Sequence, residues 1–283
     1  MNTVFEFMKK FPTDDACLDH LMVTRYGETT KCPKCQKEGK FSRIKNQPAY
    51  ACSWCGHHIH PMAGTIFQDS KTPLQKWFYA MYLFTTSRHG VPAKEIQRQI
   101  SVTYKTAWRM CHQIRKYMGE VDGDAQLSGT VELDETFIGG AAYNTHDKHI
   151  PEKTIVFGMV QRKGEVMTKV VDDHTKQTLF PIIKKNVKQF SKLMTDEMSA
   201  YRKIGNKGYL HQTVNHLDKE YVRGDVHTNT IEGFWSQLKR SIRGTHVHVS
   251  KKHMPKYLGE FEFRYNRRNT SSSSMFDSLL RAF

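Results

Sequence analysis

The sequence predicts a mixed α/β domain preceded by two smaller modules, and three observations carry that prediction. Strand-patterned runs over residues 130–137, 154–162 and 165–171 are followed by a helical segment, a further short strand and an amphipathic helix. Two Cys-x-x-C knuckles lie far upstream, and a run of helical segments stands between them and the first strand. With 283 residues the chain has room for a sizeable core and two or three modules. The expected divisions are residues 1–70 for an N-terminal helix and ribbon, 71–120 for a helical module, and 130–283 for the α/β domain.

Within residues 1–30, Leu18, Leu21 and Met22 follow Asp14 and Asp15 at helical spacing and read as a packing helix. Cys32-Pro-Lys-Cys35 and Cys52-Ser-Trp-Cys55 are separated by the sixteen residues 36–51, the four-thiolate spacing of a zinc ribbon. The start of the chain lacks a cationic segment followed by a long apolar core, so a cytoplasmic protein is expected, where disulfides are unusual. No βαβ pattern surrounds the knuckles, which argues against a redox motif. One structural Zn²⁺ held by Cys32, Cys35, Cys52 and Cys55 is therefore expected, supplying on the order of 10 kcal/mol of apparent folding free energy. Cys17 and Cys111 match neither knuckle and read as buried thiols. Lys31, Lys34, Lys37, Lys40, Arg43 and Lys45 around the knuckles fit contact with a DNA backbone, although many ribbons only brace other domains.

Thr72–Phe84 begins with a proline near the first helical position and continues as a strongly apolar helix. Residues 91–100 then form a short helix, Ser101-Val102 a tight turn, and residues 103–118 a second helix. That is a helix-turn-helix pattern, with Tyr104, Lys105, Thr106 and Arg109 at the start of the helix that would enter a major groove. Any helical pair with a short loop scores similarly.

Residues 119–129 are polar and acidic and read as a linker. Thr130–Phe137 is a strand broken by Gly139-Gly140, residues 141–153 a polar loop, and the next two runs a hairpin around Lys163-Gly164. A helix over 176–188 leads to a short strand ending at Asp196. In Val226–Arg243, Ile231, Phe234, Trp235, Leu238 and Ile242 fall on one helical face, while Asn229, Glu232, Ser236, Lys239 and Arg243 fall on the other. Asp134, Asp196 and Glu232 could supply hard oxygen ligands for two Mg²⁺ or Mn²⁺ ions, the chemistry of phosphoryl transfer, and Lys239 could hold a phosphate as a point charge. Each has a bland reading beside this: a strand-end aspartate is ordinarily a turn residue, and Asn229-Thr-Ile-Glu232 has capping-box spacing. A further helix running through Tyr257 to Arg268 interleaves Arg264, Arg267 and Arg268 with aromatics that could stack on bases or simply pack the core. Ser271–Ser274 reads as a flexible turn before a short terminal helix.

The trio Asp134, Asp196 and Glu232, with Lys239 seven residues beyond the glutamate, resembles the catalytic set of bacterial DDE-type insertion-sequence transposases. More narrowly, Leu133–Gly140, His227–Trp235 and Phe261–Arg268 resemble the ISXO-type group, which carries a zinc ribbon before the catalytic domain. The resemblance implies a ribonuclease H-like catalytic domain and an enzyme that binds terminal inverted repeats, cleaves element ends and joins them to target DNA. It implies Asp134, Asp196 and Glu232 as ligands of the catalytic ions, with Lys239, Arg240 and Arg243 gripping DNA beside the cut. Synapsis of two ends implies a homo-oligomer on double-stranded DNA, in a bacterial cytoplasm at the nucleoid.

Charge agrees with a polyanionic partner: 43 Lys and Arg against 28 Asp and Glu leave a formal charge of +15. An integral membrane protein is not expected, since the longest aromatic-apolar run, Trp77–Phe84, is too short to span a bilayer.

Overall fold

The computed structural model describes residues 3–27, 30–121, 125–139, 153–201, 204–214 and 222–281. The polar loop expected over 141–153 lies outside the described residues except for its last position. The chain divides into two compact units, Met1–Tyr117 with Thr270–Phe283, and Met118–Asn269.

The first unit opens with two helices where one was expected, α1 (Val4–Lys10) and α2 (Asp14–Tyr26). Each is started by a threonine whose hydroxyl accepts a backbone N–H, Glu6 to Thr3 and Ala16 to Thr13, both at 3.2 Å. The ribbon is a two-stranded piece, β1 (Thr30–Lys31) with β2 (Glu38–Gly39), followed by an antiparallel three-stranded sheet of β3 (Phe41–Arg43), β4 (Tyr50–Cys52) and β5 (His58–Ile59). Helices α3 (Leu74–Thr86), α4 (Ala93–Ile100) and α5 (Tyr104–Glu120) follow. Ser101 ends α4 in the left-handed region (φ 51°, ψ 59°), and the Thr103 hydroxyl caps α5 by accepting the Thr106 N–H at 3.2 Å.

The second unit is a five-stranded sheet in the order β10-β9-β6-β7-β8. Its strands are β6 (Thr130–Ile138), β7 (Thr154–Gln161), β8 (Val166–Val171), β9 (Lys192–Thr195) and β10 (Leu210–Thr213). β6, β9 and β10 run parallel, while β7 is antiparallel to both of its neighbours. β10 was not anticipated: it is a short edge strand of Leu-His-Gln-Thr with no buried apolar alternation to announce it. One sheet face carries Val131, Leu133, Phe157 and Met159 against Leu179 and Ile183 of α6 (Lys176–Asn186). The other carries Ile138, Val156 and Val160 against α7 (Asn229–Ser241) and α8 (Met254–Asn266). Each fully buried side chain of this size contributes roughly 1.5–3 kcal/mol of transfer free energy. That double burial fixes the register on which the site below depends, because a one-residue slip would turn every side chain to the wrong face.

α8 also closes the sheet edge at β8. Asn266 accepts the Val166 N–H (2.8 Å) and donates to the Val166 carbonyl (3.2 Å), while Glu262 accepts the Thr168 N–H (2.7 Å). The rings of Phe261 and Phe263 are buried, so in this segment the aromatics pack the core. The terminal helix α9 (Ser272–Arg281), expected with the α/β domain, packs instead in the first unit, where Phe276 meets Phe11 and Phe78 at ring-centroid distances of 5.7 and 5.5 Å. The serines before it are no loose turn: the Ser271 hydroxyl accepts the Ser274 N–H at 3.1 Å and starts the helix.

Candidate active site

Asp134 sits in the interior of β6, opposite Gly158 of β7. The parallel pairing of Val131 with Leu193 and Glu132 with Met194, continued two residues on, brings Asp196 level with Asp134 just past the end of β9. Trp235 of α7 lies across the same place. Its indole N–H donates to Asp134 Oδ2 at 3.0 Å, and its ring rests on Gly158, where a Cβ would stand 2.4 Å from Cζ2. A glycine inside an otherwise apolar strand is thus the space that lets the helix approach.

Burial pushes the Asp134 carboxyl up to about 7, the charge of Asp196 adds to the rise, and Glu232 adds a smaller share; hydrogen bonds from the Glu135 N–H and from Trp235 oppose it. Asp196 and Glu232 are therefore both within electrostatic reach of Asp134. Glu135, on the other side of the strand, is raised to about 8 by burial despite accepting a hydrogen bond from the Tyr201 hydroxyl.

Glu232 is exposed, and its Oε1 accepts the Thr228 hydroxyl at 2.7 Å. The capping box read from Asn229 does not form, because Asn229 is already inside the helix and Thr228 precedes it as the cap residue. Among the described residues the three carboxylates do not close into a compact ligand group.

The start of α7 is held by a residue outside the expected site. Glu132 of β6 is fully buried, and its Oε2 accepts the N–H groups of Thr230 (2.8 Å) and Ile231 (3.0 Å). Its Oε1 accepts the Thr230 hydroxyl (2.8 Å) and Arg162 Nε (2.7 Å). Arg162 then donates to the carbonyls of Asp225 (2.8 Å) and His227 (3.0 Å), tying down the segment that enters the helix. A strand carboxylate so caps a helix packed on the same sheet, satisfying N–H groups that every helix start leaves unpaired. The signal was available: Glu132 and Asp134 are two apart in a strand and share one face.

Along α7, Lys239 is half-buried, Arg240 is exposed with its guanidinium 3.3 Å from the Ser236 hydroxyl, and Arg243 is exposed beyond the helix end. On α5, Tyr104, Lys105 and Arg109 are exposed. Thr106 is half-buried and its hydroxyl is engaged with Thr103 at 3.0 Å, in the cap. Trp108, outside the expected contact set, is exposed on the same helix with its ring 3.8 Å from that of His112.

The sulfurs of Cys32, Cys35, Cys52 and Cys55 all lie within 4.8 Å of one another. Burial raises the Cys32 thiol, but the N–H groups of Cys35 and Lys34, together with the thiols of Cys35 and Cys55, outweigh it and bring it down to about 7. Four soft donors clustered this way fit a structural Zn²⁺. Cys17 and Cys111 are buried and outside the cluster. No helix among the described residues is long and apolar enough to cross a membrane.

A thiolate ribbon and a carboxylate-bearing mixed sheet in one basic chain define a class, the ribbon-bearing transposases, and comparison with known proteins agrees. Residues 126–266 match the ISXO2-like transposase domain and residues 12–58 match the transposase zinc-ribbon domain. The chain belongs to the ISXO2-like transposase family. It is 25% identical over 277 residues to an "uncharacterized protein in transposable element ISH50" of Halobacterium salinarum, covering 91% of this chain and 92% of that one. An "uncharacterized transposase-like protein" of Haemophilus influenzae is 31% identical over 110 residues, covering 39% of this chain and 88% of that one.

Proposed function

We propose that this protein is a DNA transposase that binds the terminal inverted repeats of a mobile element, cleaves the ends and joins them to target DNA. The observation that carries the reading is the Asp134 carboxyl, level with Asp196 across the sheet and raised first by burial, then by the charge of Asp196 and to a smaller extent by that of Glu232. Acidic groups that disfavour one another's ionisation form a site short of positive charge, and hard oxygen donors of this kind suit Mg²⁺ or Mn²⁺. The mixed sheet, with one reversed strand beside its central strand, supports a ribonuclease H-like catalytic domain.

Asp134 and Asp196 would hold the divalent cations, and Glu232 would add a ligand from α7. Bound there, the cations supply charge neutralisation at the phosphorus and the departing oxygen. Trp235 orients Asp134 through its indole N–H, and the cap made by Glu132 fixes where α7 presents Glu232. Lys239, Arg240 and Arg243 hold the neighbouring phosphates. In cleavage a water oxygen bonds to phosphorus and the 3′-oxygen leaves with a proton; in joining that 3′-hydroxyl oxygen bonds to a target phosphorus and gives up its proton, and the target strand's 3′-oxygen leaves and takes a proton. Tyr104, Lys105, Thr106 and Arg109 enter a major groove as part of a helix-turn-helix formed by α4 and α5. The enzyme works on bacterial nucleoid DNA as a homo-oligomer that brings two ends together.

The hydrogen bond from Thr228 to Glu232 favours a second reading, a DNA-binding regulator without catalysis. One experiment separates the two. Full-length protein is incubated with Mg²⁺, a duplex from the DNA flanking its reading frame, and a target plasmid. Strand-transfer product is expected, and Asp134→Ala and Asp196→Ala are expected to lower it by about a thousandfold or more, the loss of several kcal/mol of metal-assisted stabilisation. Full joining by Asp196→Ala would sink the mechanism.

A further inference from the structure

Between Glu232 and Glu260 the chain carries Lys239, Arg240, Arg243, Lys251, Lys252 and Lys256 and no acidic residue. The apolar side chains of this stretch turn inward: Phe234, Trp235, Leu238, Ile242, Val249, Met254 and Leu258 are all buried. Val247 is the exception, 80% exposed.

Its backbone is as unusual as its exposure. α7 runs on into a single π-helical turn, Ile242–His246, and Val247 follows with φ 63° and ψ −57°. The His248 N–H donates to the His246 carbonyl at 2.7 Å, closing a γ-turn of the rarer hand around it. A β-branched residue at positive φ is strained, and glycine or asparagine would relieve that strain in a loop that only connects two helices. Strain of this kind persists where the surroundings over-determine it, and here they do: Ile242 and Val249 root both ends in the core, and the His246 ring packs edge-on to Tyr257 with centroids 4.8 Å apart. The tip is held out on a fixed base.

We propose that the Ile242–Val249 turn is a wedge for duplex DNA, with the Val247 side chain entering a base step and the flanking cations on the phosphates to either side. Arg243 and Lys252, four residues before it and five after it, are exposed; Lys251 is exposed too and reaches Asp172 at 2.8 Å. An apolar point among cations fits a partner that is anionic outside and apolar between its stacked bases. A single valine has too little apolar area to anchor the chain in a bilayer. The inference rests on the transposase reading, for which it names a place where the DNA is unstacked.

The test uses full-length Asp134→Ala protein throughout, so that cleavage cannot alter the duplex. A duplex from the DNA flanking the reading frame carries 2-aminopurine at successive positions. Binding is expected to raise the fluorescence severalfold at one step. Adding Val247→Gly, which removes strain with the side chain, should abolish the rise while leaving affinity within about threefold, because phosphate contacts carry the affinity. Val247→Leu should retain the rise. Arg243→Ala should weaken binding and reduce the salt dependence by about one counterion. An undiminished rise with Val247→Gly, or tight binding with no rise at any position, overturns the wedge and leaves the transposase reading standing. No duplex binding at all overturns both.

Discussion

The ribbon and the carboxylate site are built in opposite ways. Four cysteines reach one point because two short knuckles bring them there, and the sulfurs stand within 4.8 Å of one another. The acids Asp134, Asp196 and Glu232 come from a strand interior, a strand end and a helix, and they converge only as far as the sheet register and the start of α7 allow. The first site is local and is expected to depend on its metal for its fold. The second is remote and depends on a finished core, so it should survive insults that destroy the first.

The largest effect expected from this contrast follows metal removal. Stripping zinc with a thiol-competing chelator, or substituting Cys32→Ser, should unfold the ribbon, where structural Zn²⁺ supplies on the order of 10 kcal/mol. Hydrogen exchange should report the loss over residues 30–60, while amides of β6 and β7 keep their protection. Equal loss in both regions would show that the two do not fold independently.

How much of each site could be read beforehand follows the same division. The ribbon was legible because its signal is a spacing within one short segment, as was the apolar face of α7 through Ile231, Phe234, Trp235 and Leu238. Asp134 was legible as a strand carboxylate expected beside Asp196 and Glu232, but the Trp235 indole that donates to it was not. Glu132 looks like one more acid in a run of acids until β6 and α7 are seen together, and Gly158 looks like a weakness until Trp235 lies on it. β10 escaped because an edge strand with a polar, half-exposed sequence has no periodicity to detect. Glu262 and Asn266 were legible only as part of a basic, aromatic segment, whereas their work is to close the edge of β8.

A second prediction probes the remote site through its support. Glu132→Ala leaves the N–H groups of Thr230 and Ile231 and the guanidinium of Arg162 without their buried partner. Removing one member of a buried ion pair costs about 3–5 kcal/mol, to be read from urea melts of the sheet unit. A loss near zero would mean that water replaces the carboxylate and that the cap is dispensable. Next in size is Gly158→Ala. The added methyl would meet Trp235 and Ile231, at 2.4 and 3.0 Å, and overpacking of this kind costs about 1–3 kcal/mol. Strand transfer should fall more than stability does, because Trp235 holds Asp134; Gly158→Ala with unchanged activity would remove Trp235 from the mechanism.

A last effect distinguishes a metal-poised carboxylate from an ordinary one. Asp134 ionises near 3.8 in an unfolded chain and near 7 in the folded one, raised first by burial and then by Asp196. Between those values the folded state binds more protons than the unfolded state, so stability falls as pH rises. Its contribution is fully present below about 3.8 and is gone above about 7; Glu135, displaced from 4.5 to about 8, adds a loss of the same sign. In zinc-loaded protein without Mg²⁺, the Tm advantage of wild type over Asp134→Asn should therefore shrink between pH 4 and pH 7, by roughly 2–4 °C for each kcal/mol in a chain of this size. Mg²⁺ added at pH 7.5 should raise the wild-type Tm and leave that of Asp134→Asn unmoved, since a ligand that binds only the folded, ionised site stabilises it by mass action. Parallel pH curves for the two proteins, or an equal response to Mg²⁺, would mean that the acids around Asp134 are a structural cluster and that the cation belongs elsewhere.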